Sequence, residues 1–209
     1  MSIVFLDMDK TITLVTTALF LGDYFGVREE VDFIEGLIAA KRISDREFYE
    51  GIGECLEGIT VESFWEGVRE VPVRLELREC IEGLTAKGYE SHIVTVGVGP
   101  VGHYLCEEYG FTTCYGSSLV SGEGHVKTLG PPFVSVKGKG QYVREVCAVR
   151  GVNPKDCAAV GDSWYDKFMM AEVGHRFGIE HDGKLDGHVD RDIRYLTDIL
   201  DYLPDRCLE

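Results

Sequence analysis

The chain has 209 residues, 44% hydrophobic and 27% charged, which at roughly 100 to 200 residues per domain describes one globular domain with room for an insertion. A net charge of −15 has the wrong sign for a phosphate-backbone binder, so nucleic acid is excluded as an expected partner. Seven cysteines (Cys55, Cys80, Cys106, Cys114, Cys147, Cys157, Cys207) lack paired spacing and read as reduced core thiols, and with no signal-like N-terminus and no bilayer-length apolar run the expectation is a cytoplasmic protein without membrane contact.

Ser2-Ile-Val-Phe-Leu6 is a continuous apolar run stopped by Asp7, the pattern of a strand covered on both faces in a parallel sheet. From about Leu14 to Val71 the spacing is helical, with breaks near Gly22, Gly26, Lys41 to Ser44 and Gly58 to Thr60. Ser44-Asp-Arg-Glu47 has the form of a capping box, followed by the apolar stripe Phe48, Ile52 and Cys55. Phe48, Phe64 and Trp65 are expected in the core of this insertion. Leu75, Leu77, Cys80, Ile81 and Leu84 mark a helix ended at Lys87-Gly88, ahead of a second strand from Ser91 to Val96. Ser121-Gly-Glu-Gly124, flanked by Leu119, Val120 and Val126, predicts a hairpin closed by Pro131-Pro132. Tyr142, Val143, Val146 and Val149 mark a helix ended at Arg150-Gly151, ahead of a third strand from Cys157 to Gly161. Helix, glycine, strand in repetition predicts the α/β class: a doubly wound, Rossmann-like parallel sheet core over residues 1–13 and 73–209, with a small helical cap over 14–72 inserted after the first strand.

Ligands in open α/β sheets bind beyond the carboxyl ends of the strands. That places attention on Asp7 and Asp9 after the first strand, Thr95, Val96 and Gly97 after the second, Asp162 and Asp166 after the third, and Lys137 and Lys139 before the helix leading into the third. Four carboxylates at one edge repel one another unless a cation joins them, and Mg2+ suits oxygen ligands. A carboxylate attacks phosphorus only when the phosphate charge is neutralised, which a metal and an ammonium do together. The pattern predicts Asp7 as nucleophile, Asp9 as proton donor to the leaving oxygen, and Lys139 with Mg2+ as the neutralising charges. Thr95 and the backbone N–H groups of Val96-Gly-Val-Gly99 are the expected phosphate donors. Lys137 is the alternative to Lys139.

In order, Asp7-Met-Asp-Lys-Thr11, Thr95, Lys139 and Gly161-Asp-Ser-Trp-Tyr-Asp166 resemble the four motifs of the haloacid dehalogenase superfamily, closest in layout to its phosphoserine phosphatase-like branch, whose helical cap lies between the first two motifs. The resemblance implies a Mg2+-dependent hydrolase of phosphate monoesters, acting on a small phosphorylated metabolite through an aspartyl-phosphate. Asp7 would be the nucleophile, Asp9 the general acid and base, and Thr95 and Lys139 the phosphate holders. Asp7, the backbone carbonyl of Asp9, and Asp162 would hold Mg2+, with Asp166 in support. Asp9-Lys-Thr11 alone resembles the phosphorylated Asp-Lys-Thr of ion-pumping ATPases, which would move the nucleophile to Asp9, but a strand ending at Leu6 puts Asp7 at its tip and a pump needs membrane spans. The alternative function is a non-catalytic phosphate-binding or phospho-acceptor signalling domain on the same type of fold; receiver domains of that kind are shorter and lack the insertion.

In phosphoserine phosphatases an acidic residue about nine positions after the nucleophile reads the substrate ammonium, and a cap arginine reads its carboxylate. Thr16 holds the first position here and Phe48-Tyr-Glu-Gly-Ile-Gly53 contains no arginine, although Arg42 and Arg46 lie nearby. The resemblance therefore implies phosphoserine as a poor substrate, and Thr16, Phe20 and Tyr24 suggest a neutral or less charged leaving group. Trp164 and Tyr165 are read as narrowing the site. His175, His181 and His188 share no ligand spacing, and the segment from Glu180 to Gly187 reads as a polar turn region.

Overall fold

The computed structural model describes residues 2–206, so Cys207 lies outside the described residues. In chain order, β1 (Ser2–Leu6) is followed by four helices, α1 (Thr17–Phe25), α2 (Arg28–Ala39), α3 (Asp45–Cys55) and α4 (Val61–Arg69). Next come α5 (Leu77–Ala86), β2 (Tyr89–Val94), α6 (Gly99–Tyr109), β3 (Thr113–Tyr115), the hairpin strands β4 (Ser118–Gly122) and β5 (His125–Gly130), and α7 (Val136–Arg150). The chain closes with β6 (Ala158–Gly161), α8 (Lys167–Met170), β7 (His175–Ile179), β8 (Arg191–Ile193) and α9 (Ile199–Tyr202).

A six-stranded sheet in the order β3-β2-β1-β6-β7-β8 is parallel throughout, the expected α/β Rossmann-like core. Every residue of β1 is buried, because helices cover both faces and an apolar run such as Ser2–Leu6 has no polar side to expose. Strand β2 starts earlier than its apolar pattern indicates: Tyr89 and Glu90 already pair with Ser2 and Ile3, which leaves Thr95 and Val96 beyond the strand rather than in it. The sequence reading misses β3, β7 and β8. Two are only three residues long, and β7 begins with half-buried His175 and Arg176, so none carries a continuous apolar run. Leu75 and Val149, expected in helix stripes, are 100% and 85% exposed; α5 begins only at Leu77, and α7 buries Val143 and Cys147 instead.

The helices after β1 form their own layer. Ser44 and Glu47 make the reciprocal capping box at the start of α3, whose Phe48 and Ile52 are buried. Phe64 is fully buried and Trp65 half-buried against the same cluster. The segments leaving and re-entering the sheet layer touch in an isolated antiparallel bridge between Thr13 and Val73, supported by Leu14 N–H to Pro72 O at 2.9 Å and Arg74 N–H to Ile12 O at 3.0 Å. The β4–β5 hairpin turns through Glu123 and Gly124, both at positive φ (54° and 76°), the two-residue turn whose twist suits antiparallel strands. It packs on this helical layer: Val126 N–H reaches Ile59 O at 2.8 Å, Gly58 N–H reaches Val126 O at 3.0 Å, and Gly53 abuts the Thr128–Leu129 backbone so closely that a Cβ would lie 2.6 Å from Leu129 N. Among the described residues no helix is long and apolar enough to cross a membrane.

Candidate active site

The tips of β1, β2 and β6 converge because the three strands are adjacent and parallel, so the residues that follow each one share an edge. After Leu6 the backbone stays tied to the sheet through Asp7 N–H to Val160 O at 3.0 Å, then folds back on itself as the Met8 carbonyl accepts Ile12 N–H at 2.9 Å and Thr13 N–H at 3.0 Å. Lys10 sits in the left-handed region at φ 62°, uncommon for a residue with a side chain and costly unless its surroundings hold it. Buried Arg74 supplies that hold: its guanidinium donates to Lys10 O at 3.0 Å and Thr11 O at 2.8 Å, and pairs with Glu180 at 3.0 Å. The tight loop aims Asp9 at the first turn of α1, where Oδ1 accepts Thr17 N–H at 3.1 Å and satisfies one of the donors a helix start leaves unpaired.

Lys139, 1% exposed, points into the cluster from the first turn of α7. Its ammonium donates to Asp7 Oδ1 and, at 2.7 Å, to Asp166 Oδ1. The second Asp166 oxygen accepts from Asp162 N–H at 3.2 Å, Ser163 N–H at 3.0 Å and Ser163 Oγ at 3.1 Å. Lys137 is exposed and outside this network. Two residues apart on a helix is about 200° of rotation, so only one of the two lysines can face the sheet edge.

Burial holds the Asp7 carboxyl well above the usual carboxylate range, with Asp166 and Asp162 adding to the shift and Lys139 opposing it. Burial likewise raises Asp9 against the hydrogen bonds from Thr17, and pushes Asp162 up to about 7 with help from Asp166. Burial works against the Lys139 ammonium, yet Asp166 and Asp7 outweigh it and raise its pKa. The cluster thus carries more buried negative charge than one lysine relieves. Carboxylate oxygens of Asp7, Asp162 and Asp166 all lie within 4.8 Å of one another, a spacing that suits a small hard cation. Asp166 already spends both oxygens on Lys139, Asp162 and Ser163, so Asp7 and Asp162 are the carboxylates free to ligate.

Past β2, Thr95 is buried and its Oγ accepts Gly97 N–H at 2.8 Å, which leaves the hydroxyl proton available to a ligand. The expectation that the whole Val96-Gly-Val-Gly99 loop offers free N–H donors needs correction. Gly97 N–H goes to Thr95, Val98 N–H to Thr17 Oγ at 3.3 Å and Gly99 N–H to Ser117 Oγ at 3.0 Å, because a buried loop must satisfy its own backbone. Gly97 serves by being small: a Cβ there would lie 2.6 Å from Asp9 Oδ2.

These groups open onto a cavity of about 580 Å³ between the sheet edge and helices α2 and α3. Asp7, Asp9, Thr95, Val96, Gly97, Lys139 and Asp162 line it, and Asp166 lies just behind. Trp164 and Tyr165 also line it, as expected, and so does Phe48, which is both cap core and cavity wall. Thr16 faces the cavity, whereas Phe20 and Tyr24 do not; they stack on each other at 6.4 Å, with Tyr24 46% exposed. Arg42 and Arg46 are exposed and do not line it. Lys10, Glu35, Lys41, Asp45 and Lys184 are lining residues that sequence reasoning misses. Lys184 belongs to the segment read as a polar turn, where His181 pairs with Asp192 at 2.7 Å instead.

The sequence model of haloacid dehalogenase-like hydrolases matches residues 4–171, most of the chain, and the protein belongs to that family. It is 26% identical over 162 residues to phosphoserine phosphatase SerB1 of Mycobacterium tuberculosis, covering 77% of this chain and 47% of that protein, so the chain spans about half the length of that relative. With the phosphoserine phosphatase of Methanocaldococcus jannaschii it shares 21% identity over 173 residues, 82% of each chain. A solved structure described as a phospho-aspartyl intermediate analogue of phosphoserine phosphatase superposes with a TM-score of 0.83 at 21% identity, over 97% of this chain and 98% of the other, a likeness of fold.

Proposed function

We propose that the protein is a Mg2+-dependent phosphomonoester hydrolase acting on a small phosphorylated metabolite through an aspartyl-phosphate at Asp7. The observation that carries this reading is the Lys139 ammonium shared by Asp7 and Asp166 at the floor of a cavity large enough for a metabolite. Family membership and relatives named phosphoserine phosphatases support it.

The donor set fits Mg2+: hard oxygens only, with Asp7 and Asp162 carrying buried charge that lacks compensation. Asp7, Asp162 and the Asp9 backbone carbonyl would hold the ion, which supplies Lewis-acid neutralisation of phosphate charge. Asp7 attacks phosphorus from the tip of β1, where its backbone is fixed to β6. Lys139 neutralises developing charge beside Asp7, and its bond to Asp166 holds the ammonium in line. Thr95 donates its hydroxyl proton to a phosphate oxygen while Gly97 N–H fixes the hydroxyl oxygen. Asp9, held at the first turn of α1 by Thr17 N–H, protonates the leaving oxygen and then takes a proton from the water that cleaves the acyl phosphate. Release of inorganic phosphate from a panel of phosphorylated metabolites, with Mg2+ present, tests the reading; hydrolysis of none of them would refute it.

A further inference from the structure

The cavity lining includes a carboxylate without a hydrogen-bond or ion-pair partner among the described residues. Glu35, on α2, lines the cavity and makes no hydrogen bond or ion pair among the described residues. Burial pushes its carboxyl up to about 7, with Asp9 and Asp32 adding to the shift and Lys10 opposing it. Asp45, at the start of α3, lines the same wall and is also raised by burial. Among the described residues no cation lining the cavity forms an ion pair with Glu35. Lys139 lies between Asp7 and Asp166, Lys184 acts on Asp162 and sits 3.9 Å from Asp182, and the Lys41 ammonium is 5.8 Å from the centre of the Trp164 ring. Lys10 is near enough to weigh on Asp9, Asp162 and Glu35 but forms an ion pair with none of them. Phe48, Trp164 and Tyr165 line the same cavity with aromatic faces, and Tyr165 is close enough to feel the Glu35 charge.

A partly desolvated carboxylate is stabilised more by a cation, which neutralises its charge, than by a hydroxyl, which only donates a hydrogen bond to it. Resting on the phosphatase reading, we infer that Glu35 is the residue that reads the leaving group and that the substrate is the phosphate monoester of an amino alcohol, its ammonium paired with Glu35 while its phosphate lies against Lys139 and Thr95. Thr16, which also lines the cavity, offers only a hydroxyl, so the acid that meets the amine comes from α2. The neutral leaving group expected from Thr16, Phe20 and Tyr24 gives way, since two of those three side chains lie off the cavity and an unpaired acid lies on it.

The test compares kcat/KM for phosphoethanolamine and glycerol 3-phosphate in wild type and Glu35→Gln. The wild type should prefer the amine ester, and Glu35→Gln should cut that preference by about tenfold or more, the effect of losing one partner of a partly buried charge pair. Glu35→Asp, which keeps the charge, should retain part of it. Calorimetric titration of both esters into Asp7→Asn with Mg2+, with and without Glu35→Gln, reads the same preference without turnover. Preference for glycerol 3-phosphate, or an amine preference that Glu35→Gln leaves intact, overturns the inference even if p-nitrophenyl phosphate is hydrolysed. A Glu35-dependent preference in the titration, with no hydrolysis of any ester by wild type, would instead refute the phosphatase reading and keep the assignment of Glu35.

Discussion

Lys139 and Asp166 meet at 2.7 Å in a place where both are buried, and the far oxygen of the same carboxylate receives the N–H groups of Asp162 and Ser163. One side chain therefore orients the ammonium beside Asp7 and shapes the loop that presents Asp162. Asp166→Ala should cost about 1–3 kcal/mol, because it leaves two N–H groups without their acceptor while Lys139 keeps Asp7 as a partner. Urea denaturation together with kcat checks this; a variant of unchanged stability and unchanged turnover would show that the pair does neither job.

Gly97→Ala isolates the placement of Asp9. The added Cβ would lie 2.6 Å from Asp9 Oδ2 and 3.1 Å from Thr17 Oγ, so the carboxylate must move. Displacing a catalytic group by about 1 Å costs on the order of a hundredfold in rate. We expect kcat to fall by that order while the melting temperature changes little. Gly99→Ala is the contrast: its Cβ would lie 2.0 Å from Ser117 O, a backbone atom that cannot swing away, so the loss there is of fold.

Mg2+ should stabilise the protein as well as activate it, since a cation relieves the charge that burial imposes on Asp7 and Asp162. At a concentration 100 times its Kd, a ligand that binds only the folded state adds about 2.7 kcal/mol. Thermal melts with and without Mg2+ should show an upward shift that Asp162→Ala abolishes, and excess EDTA should stop hydrolysis. Full hydrolysis in EDTA would show that turnover needs no metal.

Five polar side chains at the strand edge are legible in the sequence for a physical reason: Asp7, Asp9, Thr95, Asp162 and Asp166 follow apolar runs, so the adjacency of parallel strands brings them together. The choice between Lys137 and Lys139 needs the rotation of α7 about its axis, which a short polar stretch does not reveal. Glu35 is invisible for a similar reason. In Arg28-Glu-Glu-Val-Asp-Phe-Ile-Glu35 it is one acid among several on a charged helix, and only the seating of α2 over the sheet edge turns that one toward the cavity. Arg74 and Lys184 reach the site from segments separated from every motif, and no local pattern marks them.

Far from the site, His92 is 2% exposed, with Nδ1 3.1 Å from Tyr142 Oη and Nε2 3.2 Å from Glu90. Burial, with help from Arg150, lowers its pKa from 6.5 against the opposing pull of Glu90. A histidine whose folded pKa lies below its unfolded value is protonated first in the unfolded chain, so its contribution to stability is present above 6.5 and is lost as pH falls below it. The raised carboxylates have the opposite sign, and they are common to wild type and variant. Between about pH 7.5 and about pH 5.5, metal-free wild type should therefore lose more stability than His92→Gln. Parallel pH dependences would contradict the assignment.

On the proposed reading, phosphate passes covalently through Asp7. The most direct measurement is acid quenching of Asp9→Asn during turnover of p-nitrophenyl phosphate with Mg2+, followed by peptide mapping by mass spectrometry, because the variant slows breakdown of the acyl phosphate and lets it accumulate. One added HPO3 is expected on the peptide containing Asp7, at Asp7 itself, and none in Asp7→Asn, which should be inert. Steady release of p-nitrophenol with no label at Asp7, or persistent activity of Asp7→Asn, would rule out a phosphoenzyme at Asp7.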